Sequence, residues 1–258
     1  MNELVEYTAC PLCDGNALEP IASADCSKHP RYSPELASVM QWNRCKGCQH
    51  VFRSGYYTEE ALKIVFRGTN DNQVVGYDME QQRYVSARMV EKVLPYQSSG
   101  GWLDVGFGNG SLLFTAQEYG FTPLGLDLRP TSVEQLKQFG IHAFCMDINQ
   151  VELSPKVSVI SMADVLEHMP YPKQGLASAR RLLVDKGVLF ISMPNLDSMI
   201  WRALDANRVN PYWGEIEHYH NFGRARMYAL LSEFGFTPVR YGVSERYRAC
   251  MEIIAVKN

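Results

Sequence analysis

From residue 101 to the end of the chain, short apolar runs alternate with stretches of helical spacing and with glycine-marked stops. Apolar runs of four to eight residues bounded by turn residues are the pattern of buried strands, and apolar positions three and four apart are that of amphipathic helices. The pattern predicts strands over 102–105, 123–127, 142–145, 157–162, 188–193, 237–243 and 250–256. Helices are predicted over 111–119, 131–139, 172–183 and 224–234, stopped by Gly120, Gly140 and Gly235, with Thr131 or Ser132 capping the second. Alternation of strand and helix is the mark of a doubly wound sheet, so the fold class read here is α/β, with a seven-stranded Rossmann-like sheet. A long insertion separates the fifth strand from the helix at 224.

Ahead of residue 101 the pattern changes. Thr58-Glu59-Glu60 reads as a capped helix start, and Gly68 to Gly76 as a polar loop. A helix is predicted over 79–94, closed by Pro95 and Ser98-Ser99-Gly100-Gly101. Residues 1–56 are too short and polar to bury a large core, but they hold Cys10-Pro11-Leu12-Cys13 and Cys45-Lys46-Gly47-Cys48. Two C-x-x-C knuckles can supply four thiolates in tetrahedral geometry, which suits zinc. The gap from residue 14 to 44 is longer than that of an ordinary ribbon and predicts an insertion carrying Pro30 and Pro34. Cys26, His29 and His50 are expected to be ordinary surface or packing residues. The chain thus divides into a zinc-ribbon-like segment 1–56, a helical segment 57–98 and an α/β domain 99–258.

Composition narrows the choices. Seven cysteines, an odd number, do not look like a secreted disulfide framework. No apolar run has the length of a membrane span, and the acidic start lacks the order of a signal peptide, so a cytoplasmic location is expected. The net charge is -3 overall. Up to Tyr56 five basic side chains face six acidic ones, a poor surface for tracking phosphates, so a small-molecule partner is expected rather than nucleic acid. Oligomeric state is not fixed by any of these patterns.

The chemistry centres on Asp104-Val105-Gly106-Phe107-Gly108-Asn109-Gly110-Ser111, a strand end followed by a glycine turn and a helix start. The spacing is G-x-G-x-G, with Ser111 where a dinucleotide binder has its third glycine. Asp127 follows Gly106 by 21 residues, at the end of the second strand, where an acid can accept both hydroxyls of a ribose.

The segment from Leu103 to Gly110 resembles the first motif of class I S-adenosylmethionine-dependent methyltransferases. Asp127 is similar to their ribose-binding acid, Cys145-Met146-Asp147-Ile148 to the segment facing the adenine, and Asp164-Val165-Leu166-Glu167-His168 to their motif after the fourth strand. The resemblance implies S-adenosylmethionine as cofactor. It assigns Asp104 to the glycine turn or the amino end of the cofactor, Asp127 to the ribose, and Asp147 with Ile148 and Leu128 to the adenine. Gly106, Gly108, Gly110, Ala163 and Asp164 line the same crevice, and Tyr77 and Arg83 are the candidates for the methionine carboxylate.

A general base is expected near the turns after the fourth and fifth strands. His168 is one candidate. Glu217 and His218 of Glu217-His218-Tyr219-His220-Asn221-Phe222 are the others, and this stretch resembles small-molecule and sugar methyltransferases. Trp201, Tyr212 and Trp213 give the insertion aromatic faces that suit a sugar or belong to a core, and a metal site made of Glu217, His218 and His220 is disfavoured by their spacing. The expected activity is methyl transfer to a small molecule, a sugar or glycan or natural-product precursor. The alternatives are an RNA base methyltransferase that uses the ribbon for recognition, and a cofactor-binding protein without catalysis.

Overall fold

The computed structural model describes residues 4–65 and 71–258. The predicted loop from Gly68 to Gly76 lies partly outside the described residues, as does the start of the chain. In chain order the strands and helices are β1 (Leu4–Glu6), β2 (Leu18–Asp25), β3 (Val39–Cys45), β4 (Val51–Arg53), β5 (Gly55–Tyr57), α1 (Glu59–Val65) and α2 (Met79–Val93). There follow β6 (Gly100–Val105), α3 (Ser111–Glu118), β7 (Phe121–Asp127), α4 (Pro130–Gln138), β8 (His142–Cys145), β9 (Val157–Ala163), α5 (Pro172–Leu182) and β10 (Leu183–Pro194). The last are α6 (Met199–Ala206), β11 (His220–Asn221), α7 (Arg224–Glu233), β12 (Phe236–Val243) and β13 (Cys250–Lys257).

Contacts gather the chain into two units that do not follow the contiguous division 1–56, 57–98 and 99–258. One unit is Met1–Thr69, Leu166–Pro172 and Pro194–Leu230; the other is Asn70–Val165, Lys173–Met193 and Leu231–Asn258.

The second unit carries a seven-stranded sheet in the order β12-β13-β10-β9-β6-β7-β8. Its β10, β9, β6, β7 and β8 pair in parallel, and β12 pairs antiparallel with β13. This is the seven-stranded α/β architecture expected from the strand and helix periods. The central strand β6 is apolar because both faces of a parallel strand are covered. Trp102 and Leu103 are fully buried, and Trp102 meets Phe121 edge to face at 4.9 Å.

Two boundaries differ from expectation. Strand β10 begins at Leu183 and absorbs the turn at 185–187 as a register shift, with Lys186 at φ 61°. Helix α4 starts at Pro130 with Arg129 at the cap position, because proline is preorganised for the first turn, and Ser132 is buried inside the helix.

The first unit contains a four-stranded antiparallel sheet in the order β11-β4-β3-β2, and a separate β1-β5 pair. The long gap between the knuckles is filled by β2, the loop 26–38 and β3. Strand β3 alternates, with Met40 and Trp42 buried and their neighbours Val39 and Gln41 exposed. Trp42 donates its indole N–H to the Trp213 carbonyl at 2.8 Å. The Arg53 side chain, 1% exposed, donates to the Ile216 carbonyl at 3.2 Å and to the Tyr57 hydroxyl at 3.1 Å. The insertion therefore completes the sheet and core of the N-terminal segment. On α1, the Thr58 hydroxyl accepts from the Ala61 N–H at 3.3 Å, as a cap should.

Candidate functional site

The glycine turn joins the end of β6 to α3. Gly106, Gly108 and Gly110 lie at φ +67°, +58° and +78°, the left-handed region in which a side chain is strained. At Gly106 a Cβ would also press on Val165 Cγ2 at 3.1 Å, a second reason for glycine there. Asn109 orders the turn from both sides. Its carboxamide oxygen accepts from the Ser111 N–H at 3.1 Å, and its NH2 donates to the Asn72 carbonyl at 3.0 Å. Its own carbonyl accepts from the Gly76 N–H at 3.1 Å, so the segment before α2 is fastened to the turn.

Asp104 is 4% exposed and accepts from Ser161 Oγ at 2.6 Å, while Ser161 accepts from the Trp102 indole at 2.9 Å. Burial pushes the Asp104 carboxyl up to about 7, against the lowering effect of Ser161 and of Arg246 nearby. At the end of β9, Ala163 is buried. Asp164 sits at φ 59°, accepting from Ser192 Oγ at 2.8 Å.

Asp127 ends β7 and is 6% exposed. Arg129, which the sequence pattern did not single out, lies against it. The Arg129 backbone N–H and Nε both donate to Asp127 Oδ1 at 2.9 Å, and Nη2 donates to Oδ2 at 2.7 Å. Leu128 is exposed, Ile148 is buried, and Asp147 caps a short turn by accepting from the Asn149 N–H at 2.7 Å.

Tyr77 is half exposed beside the fastened segment. Arg83 is not brought to the glycine turn. It grips Glu118 at the far end of α3 with bonds of 2.9 Å and 2.6 Å to one carboxylate oxygen, and both side chains are exposed. Helix geometry explains this: the face of α2 that meets the turn carries Gln82, Ser86 and Met89, and a neighbour of Gln82 points about 100° away. Ser86 Oγ and Ser111 Oγ are 3.1 Å apart on that face.

The acid–imidazole group belongs to the first unit. The Glu217 carbonyl accepts from His168 Nδ1–H at 3.0 Å, which leaves His168 Nε2 with a lone pair. His218 stands edge to face on His168 with ring centroids 4.7 Å apart. Burial is the main cause that brings the His218 imidazole down to about 3, so it is neutral near pH 7. The Glu217 carboxylate pairs with Arg31 at 3.0 Å, so this residue holds His168 by its backbone and Arg31 by its side chain. Glu215 pairs with His29 at 2.8 Å; burial raises its carboxyl, but the imidazoles around it prevail and hold it at about 2.

His220 is not part of this group. Its Nε2–H donates to the Met169 carbonyl at 2.9 Å, and its Nδ1 accepts from His50 Nε2–H at 3.0 Å. His29 and His50 are thus paired with the insertion, a partnership that sequence spacing cannot show. The groups near enough to share an ion are Glu167, His168 and His218, rather than Glu217, His218 and His220. Trp201 is 1% exposed, stacked on Tyr212 at 5.2 Å and edge-on to Trp213 at 5.3 Å; Trp201 is therefore core, while Tyr212 and Trp213 are half-buried over it.

The four knuckle cysteines come together. Cys10 and Cys48 sulfurs are 3.6 Å apart, those of Cys13 and Cys45 are 3.5 Å apart, and all four lie within 4.8 Å of one another. A tetrahedral S4 site with metal–sulfur bonds of about 2.3 Å has sulfurs about 3.8 Å apart, so the cage has the right size for one ion. Burial would raise the Cys45 thiol, but the N–H groups of Cys48 and Gly47 and the neighbouring thiols bring it down to about 7.

The profile of a methyltransferase-domain family matches residues 77–241. The chain belongs to this family. Among solved structures, the Synechocystis magnesium protoporphyrin IX methyltransferase is similar at 18% identity and TM-score 0.54, over 70% of this chain and 83% of that one. The Burkholderia thailandensis 1,6-didemethyltoxoflavin N1-methyltransferase is similar at 19% identity and TM-score 0.54, over 71% and 82%. An N-methyltransferase of Bradyrhizobium japonicum is similar at 17% identity and TM-score 0.51, over 70% and 88%. All three were solved with S-adenosylhomocysteine bound. These likenesses establish the class I methyltransferase fold. No curated protein matches. Among the described residues, no helix is long and apolar enough to cross a membrane.

Proposed function

We propose that this methyltransferase moves the methyl group of S-adenosylmethionine to a small molecule, and that the acceptor is a sugar or a related natural-product precursor. The observation that carries the cofactor assignment is the left-handed glycine turn flanked by two buried acids, Asp104 and Asp127, at the ends of adjacent parallel strands. Ligands of such sheets sit beyond the carboxyl ends of the strands. Asp127 would take the ribose hydroxyls in exchange for Arg129, Leu128 and Ile148 would flank the adenine, and Asp147 would accept from its amino group. Gly106, Gly108, Gly110, Ala163 and Asp164 would form the wall, with Tyr77 in the cover.

His168 is assigned to proton removal from the acceptor, and His218, whose basicity burial suppresses, to packing against its ring. With Nδ1–H on the Glu217 carbonyl, the neutral His168 ring has its basic nitrogen at Nε2, and the loop of His168 follows β9 directly in the chain. Glu217 orients His168. The sugar assignment is supported by the resemblance of the Glu217-to-Phe222 stretch, and the charge balance of the N-terminal segment weighs against nucleic acid.

Cys10, Cys13, Cys45 and Cys48 are proposed to hold a structural zinc ion. The cage fits the ion in donor type, number and spacing, and the zinc would supply folding free energy rather than chemistry.

The deciding experiment follows a labelled methyl group from S-adenosylmethionine into fractionated host extract. Label in a small, nuclease-resistant fraction is expected. Label in a nuclease-sensitive polymer would make RNA the substrate, and cofactor binding without any transfer would make the chain a sensor or scaffold.

A further inference from the structure

Arg83 lies off the side of α2 that faces the glycine turn, and the cation among the residues lining the cavity there is Arg246. We infer that Arg246, on the turn between β12 and β13 and outside the residues matched by the family, holds the carboxylate of the cofactor's amino acid end while Asp104 holds the adjoining ammonium group. The inference rests on S-adenosylmethionine being the cofactor.

Four observations place Arg246 there. First, it lines one small cavity with Gln82, Ser86, Asp104, Asn109 and Ser111, that is, with the turn-facing side of α2, the strand acid and the start of α3. Second, its Nη1 donates to the Ala163 carbonyl at 3.3 Å and lies 3.6 Å from Asp164 Oδ2. The guanidinium therefore stands over the end of β9, next to the end of β6. Third, the turn that presents it is braced. The backbone N–H groups of Arg246 and Tyr247 donate to Ser244 Oγ at 3.1 Å and 3.3 Å, and Ser244 is fully buried. Glu245 of the same turn pairs with Lys92 of α2 at 2.8 Å. Fourth, the Arg246 side chain is one-third exposed, so its head can turn to a ligand without unfolding its turn.

The charges complement an α-amino acid zwitterion. A buried carboxyl held near 7 gains most from a cation beside it, and a guanidinium offers a planar pair of donors to a carboxylate. The cavity now measures about 20 Å³, room for roughly one water, so the amino acid end must displace the Arg246 head from the Ala163 carbonyl. That displacement frees the carbonyl for the ligand ammonium and turns the guanidinium to the ligand carboxylate.

Two ligands that share the adenosine half separate this role from others: S-adenosylhomocysteine, which has the zwitterion, and 5′-methylthioadenosine, which lacks it. Arg246→Gln should bind S-adenosylhomocysteine at least tenfold more weakly and 5′-methylthioadenosine within twofold of the wild type by calorimetry. Arg83→Gln should leave both within twofold. If Arg246→Gln does not fold, Arg246→Lys serves, with a smaller loss confined to S-adenosylhomocysteine. A variant with an unchanged melting curve that loses affinity for both ligands alike, or for neither, overturns the assignment. A wild-type protein that binds neither ligand refutes the cofactor instead.

Discussion

The two units of this methyltransferase are stabilised by different means. In the sheet unit, aliphatic and aromatic strands and helices cover a parallel sheet, and Leu103, Leu113, Leu136, Val159 and Phe190 are all fully buried. The other unit adds to an apolar core around Trp42 and Ile216 the buried Arg53 guanidinium and His50–His220 pair, a half-buried His168 against His218, and four clustered thiols of which Cys13 is exposed. Its polar groups must be satisfied one by one, because an unmet buried polar group costs about 1 to 3 kcal/mol. The difference teaches that the sheet unit sets its buried acids, Asp104 and Asp127, into an extensive apolar core, whereas the first unit combines a smaller apolar core with imidazole, guanidinium and thiol clusters and, as proposed, a metal.

The strongest way to break this comparison is to remove the metal. Purified protein should carry one zinc per chain by elemental analysis. Cys45→Ser, or exhaustive chelation, should abolish the near-UV signal of the Trp42–Trp213 cluster, while S-adenosylhomocysteine affinity changes by less than about threefold, since structural zinc sites supply folding energy to their own unit. A zinc-free protein with an unchanged melting curve would show that the cysteines pack like ordinary apolar side chains.

A smaller effect is expected at the sheet end. If Asp127 holds the ribose as proposed, Asp127→Ala should weaken S-adenosylhomocysteine by at least tenfold in calorimetry, since a charge-assisted bond is worth about 1.5 to 3 kcal/mol. The near-UV signal of the first unit should not change. Unaltered affinity would withdraw the ribose from Asp127.

The smallest effect, and the one that sharpens the contrast most, is the opposite pH dependence of the two units. Asp104 is raised to about 7 by burial, so its share of stability is complete below about pH 4, its unfolded value, and is lost as pH rises through 7. His218 and His220 are lowered by burial to about 3 and about 4, so their share is present above about pH 6.5 and is lost as pH falls toward those values. Urea denaturation should show Asp104→Asn gaining relative to wild type between pH 5 and pH 7.5. His218→Gln should gain relative to wild type as pH falls from 6.5 to 5. Parallel pH profiles for wild type and both variants would mean that neither group is buried in solution.

Legibility followed the same divide. The periods of two and 3.6 located all seven strands of the main sheet: the central strands β9, β6 and β10 are buried almost throughout and read as apolar runs, and the partly exposed edge strands β8 and β12 are bounded by helix and turn signals. The glycine turn, Asp104 and Asp127 were visible because their backbone and spacing requirements are local. Arg83 was misplaced because one residue of helical rotation, invisible in composition, separates the face that meets the turn from the one that meets Glu118. The contacts of Arg129 with Asp127 and of Arg246 with Ala163 were hidden for a related reason: an arginine on a polar stretch looks like any solvated cation until its neighbours are known. In the other unit, β11 is two residues long and too short to show a period, yet it closes the four-stranded sheet.

The sequence by itself determined the α/β order, the glycine turn with its acids, and the four-cysteine set, because each depends on local backbone geometry or on residue types that few other roles require. Only the tertiary structure decided that the insertion after β10 shares a sheet and a core with the N-terminal segment. It alone paired His50 with His220 and His168 with His218, and brought Arg246 to Asp104. These outcomes depend on contacts between residues far apart in the chain, and a side chain carries no mark of its distant partner.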